Sequence, residues 1–360
     1  MARYTAYKRG NAGGQLIAMA ITLILLAAIG YIAYEIILHY WNQFISPSNN
    51  FSGSNPNLTT TIVSSFNQTA SNLSLDNYML SLINKDRQKY GLTNVTLSNE
   101  PSGQQHAQSM FEYGYFSHWD IYGMKPYMRY TLFGGTGAVD ENIAYYRSSE
   151  CTALGCTGTV NPRVDLQKME YSMMYNDSLC CNNGHRDNIL DPEHNQVSIG
   201  IAYNASKIYL VEDFIDNYIT WNANSYGFDP SNNEMYLFGT LQNGYTLSSI
   251  TIGFDAPVQN MSVAQLNNTS SYSYGNQIAG VVSSPNTYYN GISTIVADKY
   301  LINGDSFKVA FNLHNTVIKN GPGEYTVFVW LNGTKGNNFV GSTYTIFIGK
   351  NDTAYVPNKI

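Results

Sequence analysis

The segment LIAMAITLILLAAIGYIAY, Leu16 to Tyr34, holds no charged residue and continues through Ile36, Ile37 and Leu38 past the lone Glu35. That length of apolar chain spans the hydrocarbon core of a bilayer, so the sequence predicts one transmembrane helix over 15–40. Arg3, Lys8 and Arg9 precede the run, and no Lys or Arg follows it until Lys85. The positive-inside bias therefore puts residues 1–14 in the cytoplasm and the bulk of the chain outside the cell, on a single-pass anchor in the cell membrane.

Two other readings of the same run exist. A cleaved signal peptide needs a shorter apolar region closed by a small-residue cleavage site, and neither is present. Lys8-Arg9-Gly10 ahead of the helix resembles a class III, type IV prepilin-like signal, which would leave the helix in place as an assembly stalk. An exterior location agrees with Asn-x-Ser/Thr sequons that recur from Asn50 to Asn351, with none before the helix, as in a glycoprotein. Cys151, Cys156, Cys180 and Cys181 are the only cysteines. In an oxidising compartment an even count predicts two disulfides, and strain in a bond between adjacent Cys180 and Cys181 favours pairing the 151/156 loop with the 180/181 pair. A four-cysteine zinc site is the rival reading, disfavoured because adjacent cysteines make poor tetrahedral ligands.

Only 12% of residues are charged and the net charge is −6, so the chain offers no basic face to nucleic acid. Residues 41–73 are rich in Ser, Thr and Asn without periodicity, which reads as a stalk. A first globular domain over 74–220 follows. Ser74 is placed to cap a helix that carries Leu75, Tyr78, Met79, Leu82 and Ile83 at helical spacing up to Gly91. Further helices are predicted from about Pro101 to Tyr113, from Pro126 to Leu132 and from Val164 to about Tyr175, the last with a Met169/Met173/Met174 core face. Val197–Tyr203 and Ile208–Phe214 read as an antiparallel hairpin. After a linker at 221–233 the pattern over 234–360 is all β, with short strands between Asn-Gly, Gly-Asp and Gly-Pro-Gly turns. The fold class expected is α+β, with an all-β sandwich domain behind it.

Several short motifs fall in a fixed order within the first domain: Asn84-x-x-Arg87 with Gly91-Leu92, Phe116-Ser117-His118, Glu141-Asn142-Ile143-Ala144, Gly184-His185-Arg186-x-Asn188-Ile189-Leu190, Ile199-Gly200-Ile201-Ala202, and Asp213-Phe214. This series resembles the CAP superfamily of cysteine-rich secretory proteins, antigen 5 and pathogenesis-related class 1 proteins, in its prokaryotic branch with an SCP-like domain. The resemblance covers roughly 75–215 and implies an α/β/α sandwich with a central cleft. It also implies a tetrad of two histidines and two acids that binds a divalent metal such as zinc in some relatives. His118, Glu141 and His185 match three of its positions. Asp177 in Tyr175-Asn176-Asp177 is the candidate for the fourth, with Glu170 on the preceding helix as the alternative. Asp140 stands where the family motif has glycine.

Neutral imidazoles and carboxylates suit zinc, provided one acid acts from behind the ligands. Without metal, Glu141 and a histidine can share a proton as an acid–base pair, which makes Glu141, His118 and His185 the catalytic candidates of a second reading, a metal-assisted, peptidase-like hydrolase. Arg186 and Asn188 are expected to fix the loop. His106 and His194 lie in no motif and are expected at the surface. The favoured function is a surface protein binding a ligand or partner, peptide or glycan, with a structural envelope or filament component as the third possibility.

Overall fold

The computed structural model describes residues 70–148, 151–152, 155–156, 159–269, 271–350 and 353–357. The expected cytoplasmic segment, membrane helix and nearly all of the stalk lie outside the described residues. Among the described residues no helix is long and apolar enough to cross a membrane. They belong to one compact unit, Gln68–Ile360.

In chain order, helix α1 (Ala70–Lys89) and the short strand β1 (Thr96–Leu97) precede α2 (Ser102–Tyr113) and α3 (Pro126–Leu132). Strand β2 (Ala138–Arg147) and the small hairpin of β3 (Cys151–Thr152) and β4 (Gly155–Cys156) come next. Helices α4 (Pro162–Tyr175), α5 (Ser178–Cys181) and α6 (Gly184–Ile189) follow, then β5 (Gln196–Tyr203) and β6 (Lys207–Asp216). These helix starts have local causes: Pro126 and Pro162 fix the first-turn φ, and the Asn161 side chain accepts from the Val164 N–H at 3.3 Å. At the end of α2, Gly114 takes φ 73°, the left-handed cap that lets the chain leave the helix.

Strands order as β1-β5-β6-β2, with β1 parallel to β5 and the others antiparallel. Ile208, Leu210 and Phe214 of β6 face a core that includes Leu75, Met79, Ile83, Leu166, Met173 and Ile189 from α1, α4 and α6. The alternate residues Tyr209 and Val211 face Ala107 and Met110 of α2. The sheet is thus covered by helices on both faces, the sandwich implied by the motif series. The predicted hairpin is present as β5–β6.

Helix α2 lies so close to β5 that a Cβ on Gly200 would sit 2.1 Å from the Gly103 carbonyl oxygen. Backbone is the obstacle, so neither side can yield by rotating a side chain. Gly200→Ala is expected to lower stability by at least about 2 kcal/mol, the scale of core overpacking. Urea denaturation checks this, and a midpoint equal to that of the parent protein would contradict the close packing.

The stretch expected as a linker is not one. Strand β7 (Ile219–Asp229) runs through it and pairs with β8 (Glu234–Leu241), accommodating extra residues between Trp221 and Tyr226 as a register shift. Its polar Asn222-Ala223-Asn224-Ser225 segment, with Asn224 at φ 57°, is what reads as loop in sequence. Beyond it lie β9 (Thr246–Asp255), a short helix α7 (Val263–Asn267), β10 (Asn276–Val282), β11 (Ser293–Val296), β12 (Lys299–Asn303), β13 (Ser306–Asn312), helix α8 (His314–Asn320), β14 (Gly323–Asn332), β15 (Asn338–Ile348) and β16 (Ala354–Tyr355). They form a six-stranded sheet, β11-β10-β9-β14-β15-β16, and a four-stranded sheet, β12-β13-β8-β7. A core including Leu237, Ile252, Val281, Val309, Phe311, Tyr325 and Val327 lies between them, as a β-sandwich requires.

Candidate functional site

Strand β2 is the edge of its sheet, and its alternation decides where the motif acids go. Glu141 is paired with Asp213 and Asn142 with Glu212 across to β6, so these neighbours project to opposite faces. Glu141 joins the face covered by α2 and α3, and Asn142 joins the face covered by α4 and α6.

On the first face, His118 and Glu141 meet. His118 Nδ1 lies 2.9 Å from Glu141 Oε1, and the Arg129 guanidinium of α3 donates to Glu141 Oε2 at 2.6 Å. Arg129 also donates to the carbonyls of His118 at 2.8 Å and Met124 at 3.0 Å, which fixes the turn that carries His118. Burial by itself would raise the Glu141 carboxyl. Arg129, with His106 and His118, outweighs it and holds the group at about 2. Glu141 is therefore ionised, locked and a weak base.

His106 is fully buried in α2, with Nε2 2.8 Å from the Ser117 carbonyl oxygen, correcting the expectation of a surface residue. Burial first, then Arg129, pushes its imidazole down to about 3, so it is neutral at pH 7. His194 is buried too: its Nδ1 lies 2.7 Å from Asp216 Oδ1.

On the second face, Asp177 orders His185. Asp177 Oδ1 lies 2.6 Å from His185 Nδ1, while Oδ2 accepts from the backbone N–H groups of His185 at 2.9 Å and Arg186 at 3.2 Å. Asn188 donates to the Asn142 side chain at 2.9 Å, and Asn142 donates to the His185 carbonyl at 3.1 Å, tying α6 to β2. Arg186 donates to the Met174 carbonyl at 3.2 Å. Asp177, not Glu170, is thus the acid beside His185. Glu170 is buried against Glu212, and burial followed by that second carboxylate raises it well above the usual range. The Asn84-x-x-Arg87 motif also has a structural cause: buried Arg87 donates to the carbonyls of Thr93, Ile189, Asp191 and His194, binding α1 to the segment after α6.

The four expected ligands do not form one cluster. Among the described residues, one group of three or more metal-ligating side chains has its donor atoms within 4.8 Å of one another: Asp177, Cys181 and His185. Cys181 is disulfide-bonded, so Asp177 and His185 are the members of this group able to donate to a metal ion. His118 and Glu141 form a second histidine–acid pair outside that group.

The sequence reading missed the part played by the second domain. Residues 271–273 of the β9–β10 connection lie against the His118 face. The Glu141 N–H donates to the Tyr272 hydroxyl at 3.0 Å, and the Tyr272 ring lies 5.1 Å from the His118 ring. Trp119 Nε1 donates to the Ser271 carbonyl at 3.0 Å. Lys125 Nζ and the Tyr127 hydroxyl donate to the Asp255 carboxylate at 2.6 and 2.7 Å. No local signal marks Tyr272, because its neighbours are remote in sequence. Arg129 was readable: a lone cation inside the apolar helix Pro126-Tyr127-Met128-Arg129-Tyr130 demands a buried carboxylate.

A helix-covered four-stranded sheet with a histidine–acid pair on either side of its edge strand defines the class of fold. Residues 80–222 match the model of the CAP, cysteine-rich secretory protein, family, and the chain carries a CAP domain there. No curated protein matches the chain significantly. Three solved bacterial structures share slight likeness to it. An extracellular SCP-domain protein of Bacillus anthracis is 20% identical, over 39% of this chain and 40% of that one, at a TM-score of 0.28. An outer surface protein of Borrelia burgdorferi is 11% identical, over 39% and 93%, at 0.30. The CAP domain of enterococcal PrgA is 15% identical, over 38% and 58%, at 0.24. The chain thus spans less than half the length of the Bacillus protein.

Proposed function

We propose that the chain is a membrane-anchored, extracellular CAP-domain glycoprotein whose two oriented histidines bind a divalent cation, zinc being the best match, in the service of a surface ligand or partner. One observation carries this reading. In each histidine–acid pair the carboxylate takes the Nδ1 side, which leaves Nε2 as the ring atom with a free lone pair. Both side chains keep some access to solvent, 14% for His118 and 17% for His185. A buried acid behind a partly exposed imidazole fixes the ring's orientation and tautomer for a ligand role.

In this reading His118 and His185 are the ligands, and Glu141 and Asp177 orient them. Bound cation would supply Lewis acidity and charge. Asp177 retains an open role beside His185, since it already sits in the donor group with Cys181. Cys181 adds little, because its sulfur is disulfide-bonded and lacks thiolate charge. That no described cysteine is a free thiol supports two disulfides among Cys151, Cys156, Cys180 and Cys181. Binding is favoured over hydrolysis because Glu141, held at about 2 despite burial by its Arg129 partner, is too weak a base to take a proton from water near pH 7.

The anchor rests on Leu16–Tyr34 and the flanking Arg3, Lys8 and Arg9. Protease added to intact cells should digest the bulk of the chain and spare residues 1–40. Protection of the whole chain would reverse the topology. Metal analysis of the full-length protein, loaded with zinc and dialysed, should find bound ion. His118→Ala with His185→Ala should weaken zinc at least tenfold, whereas Glu141→Gln should weaken it less. Zinc retention equal in the double variant and the parent would end the metal proposal.

A further inference from the structure

A groove of about 490 Å³ opens at the junction of the two domains, remote in sequence from both histidine motifs. It is lined by Thr96, Asn195, Gln196, Asn217, Trp221 and Gln242, with Thr136, Ile219 and Thr220 completing the wall. Its size falls within the roughly 300–1,000 Å³ usual for small-ligand sites. No lining residue is charged. That composition is itself selective: an ionic ligand would lose its hydration and find no counter-charge, and an apolar one would strand the amides.

The polar groups divide into those already used by the fold and those left over. Asn195 is used: its Nδ2 donates to the Asn217 carbonyl at 2.8 Å, and its Oδ1 accepts from the Asn217 N–H at 3.0 Å. This double bond to the backbone sets the corner between β6 and β7. Asn217 Nδ2 donates to Gln196 Oε1 at 3.3 Å, and Gln242 Nε2 donates to the Asn217 carbonyl at 3.2 Å. Trp221 is held by its Nε1, which donates to the Thr136 carbonyl at 3.1 Å, and by stacking on Tyr226 at 4.1 Å. Among the described residues, no side-chain bond takes up Asn217 Oδ1, Gln196 Nε2 or Gln242 Oε1. Each of these amides is fixed at one end and open at the other.

We propose that this groove binds a neutral saccharide. Sugar hydroxyls donate and accept at once, so they can satisfy a mixed set of amide oxygens, amide N–H groups and threonine hydroxyls. Their C–H faces pack on an indole that is already immobilised. Fixing the amides beforehand lowers the ordering cost of binding. An extended peptide would be read through main-chain groups of the edge strands β1 and β7, whereas the pre-fixed amides here offer side-chain groups at irregular spacing, which suits a sugar better. The saccharide has two sources. It is a free glycan, or it is this chain's own sugar at the Asn94-Val95-Thr96 sequon, whose Thr96 lines the groove.

Calorimetric titration of the full-length protein, in a detergent without a sugar headgroup, tests the assignment. The probes are tetrasaccharides of glucose, mannose and N-acetylglucosamine, with an end-blocked alanine tetrapeptide alongside. One or more tetrasaccharides should bind at a single site. Gln196→Ala with Gln242→Ala should weaken that binding at least tenfold at an unchanged melting temperature, while His118→Ala with His185→Ala should leave it unaltered. Binding seen only after Asn94→Gln identifies the chain's own glycan as the occupant, and equal binding with and without that change identifies a free one. Absence of binding in both proteins overturns the proposal, as does binding by the tetrapeptide alone or saccharide binding insensitive to the paired glutamine change.

Discussion

Arg129→Ala is expected to cost about 3–5 kcal/mol of folding stability, the range for breaking a buried ion pair by removing one partner. Arg129 is 1% exposed and Glu141 is 2% exposed, so water cannot replace the lost guanidinium. The change removes the 2.6 Å bond to Glu141 Oε2 and the bonds to the carbonyls of His118 and Met124, the latter keeping only the Asp120 N–H at 3.1 Å. Glu141 would keep His118 and the more distant His106, neither of which is a permanent cation. Its carboxyl should therefore rise from about 2 toward or above the ordinary range, since burial then meets little opposition. Arg129→Lys should fall between, because an ammonium keeps the charge and loses the planar fork that serves three acceptors. Arg129→Met with Glu141→Leu should recover much of the loss, because no buried charge remains unpaired. Urea denaturation of the four proteins measures this series. An Arg129→Ala protein within about 1 kcal/mol of the parent would show that Glu141 is not held by this pair.

The same residues show what sequence could and could not reveal. Helix α1, helix α3 and the β5–β6 hairpin were legible because apolar spacing, Pro126 and β-branched runs all pointed one way. Strand β2 was hidden. Its centre reads Val139-Asp140-Glu141-Asn142, too polar for a buried strand unless each polar group has a partner, and those partners come from Arg129 on the preceding helix and from Asn188 and Glu212 far along the chain. The motifs name His118, Glu141, Asp177 and His185 but do not announce which acid meets which histidine; the structure pairs His118 with Glu141 and His185 with Asp177. Only the strand assignment of β2 tells that Glu141 and Asn142 part to opposite faces. Tyr272 could not be anticipated, because a tyrosine in a polar loop gains meaning only when that loop is folded over His118. His106 and His194 were misjudged for a related reason: their buried position depends on Ser117 and Asp216, acceptors that no short motif announces.

The chain should be more stable at pH 5 than at pH 8, with the melting temperature rising by at least about 5 °C over that interval. Burial raises Asp76, Glu100, Glu212 and Glu324 to about 7 and Asp120 to about 6. It raises Glu170 and Asp213 further still. Each of these acids ionises near pH 4 when unfolded, so between about 4 and 7 the folded state binds more protons and stability falls as pH rises. His194 acts in the same direction: although burial lowers it, Asp216 raises it above 6.5 overall, and its contribution is complete below that value and lost above. His106 opposes them, because its folded value near 3 favours the unfolded state as pH drops below 6.5. Glu141 opposes only lower down, since its contribution is present above about 4.5 and lost as pH falls toward 2. One buried imidazole is outweighed by nine raised carboxyls, Asp140 and Asp216 being the other two, so the optimum lies on the acid side of neutrality and the decline sets in below about pH 4. Glu170→Gln should flatten the slope between pH 5 and 8, because it removes the proton that Glu170 and Glu212 contend for. Differential scanning calorimetry across pH 3–8 decides the matter, and a melting temperature that falls steadily from pH 8 to pH 5 would mean that burial does not hold these acids protonated in the folded chain.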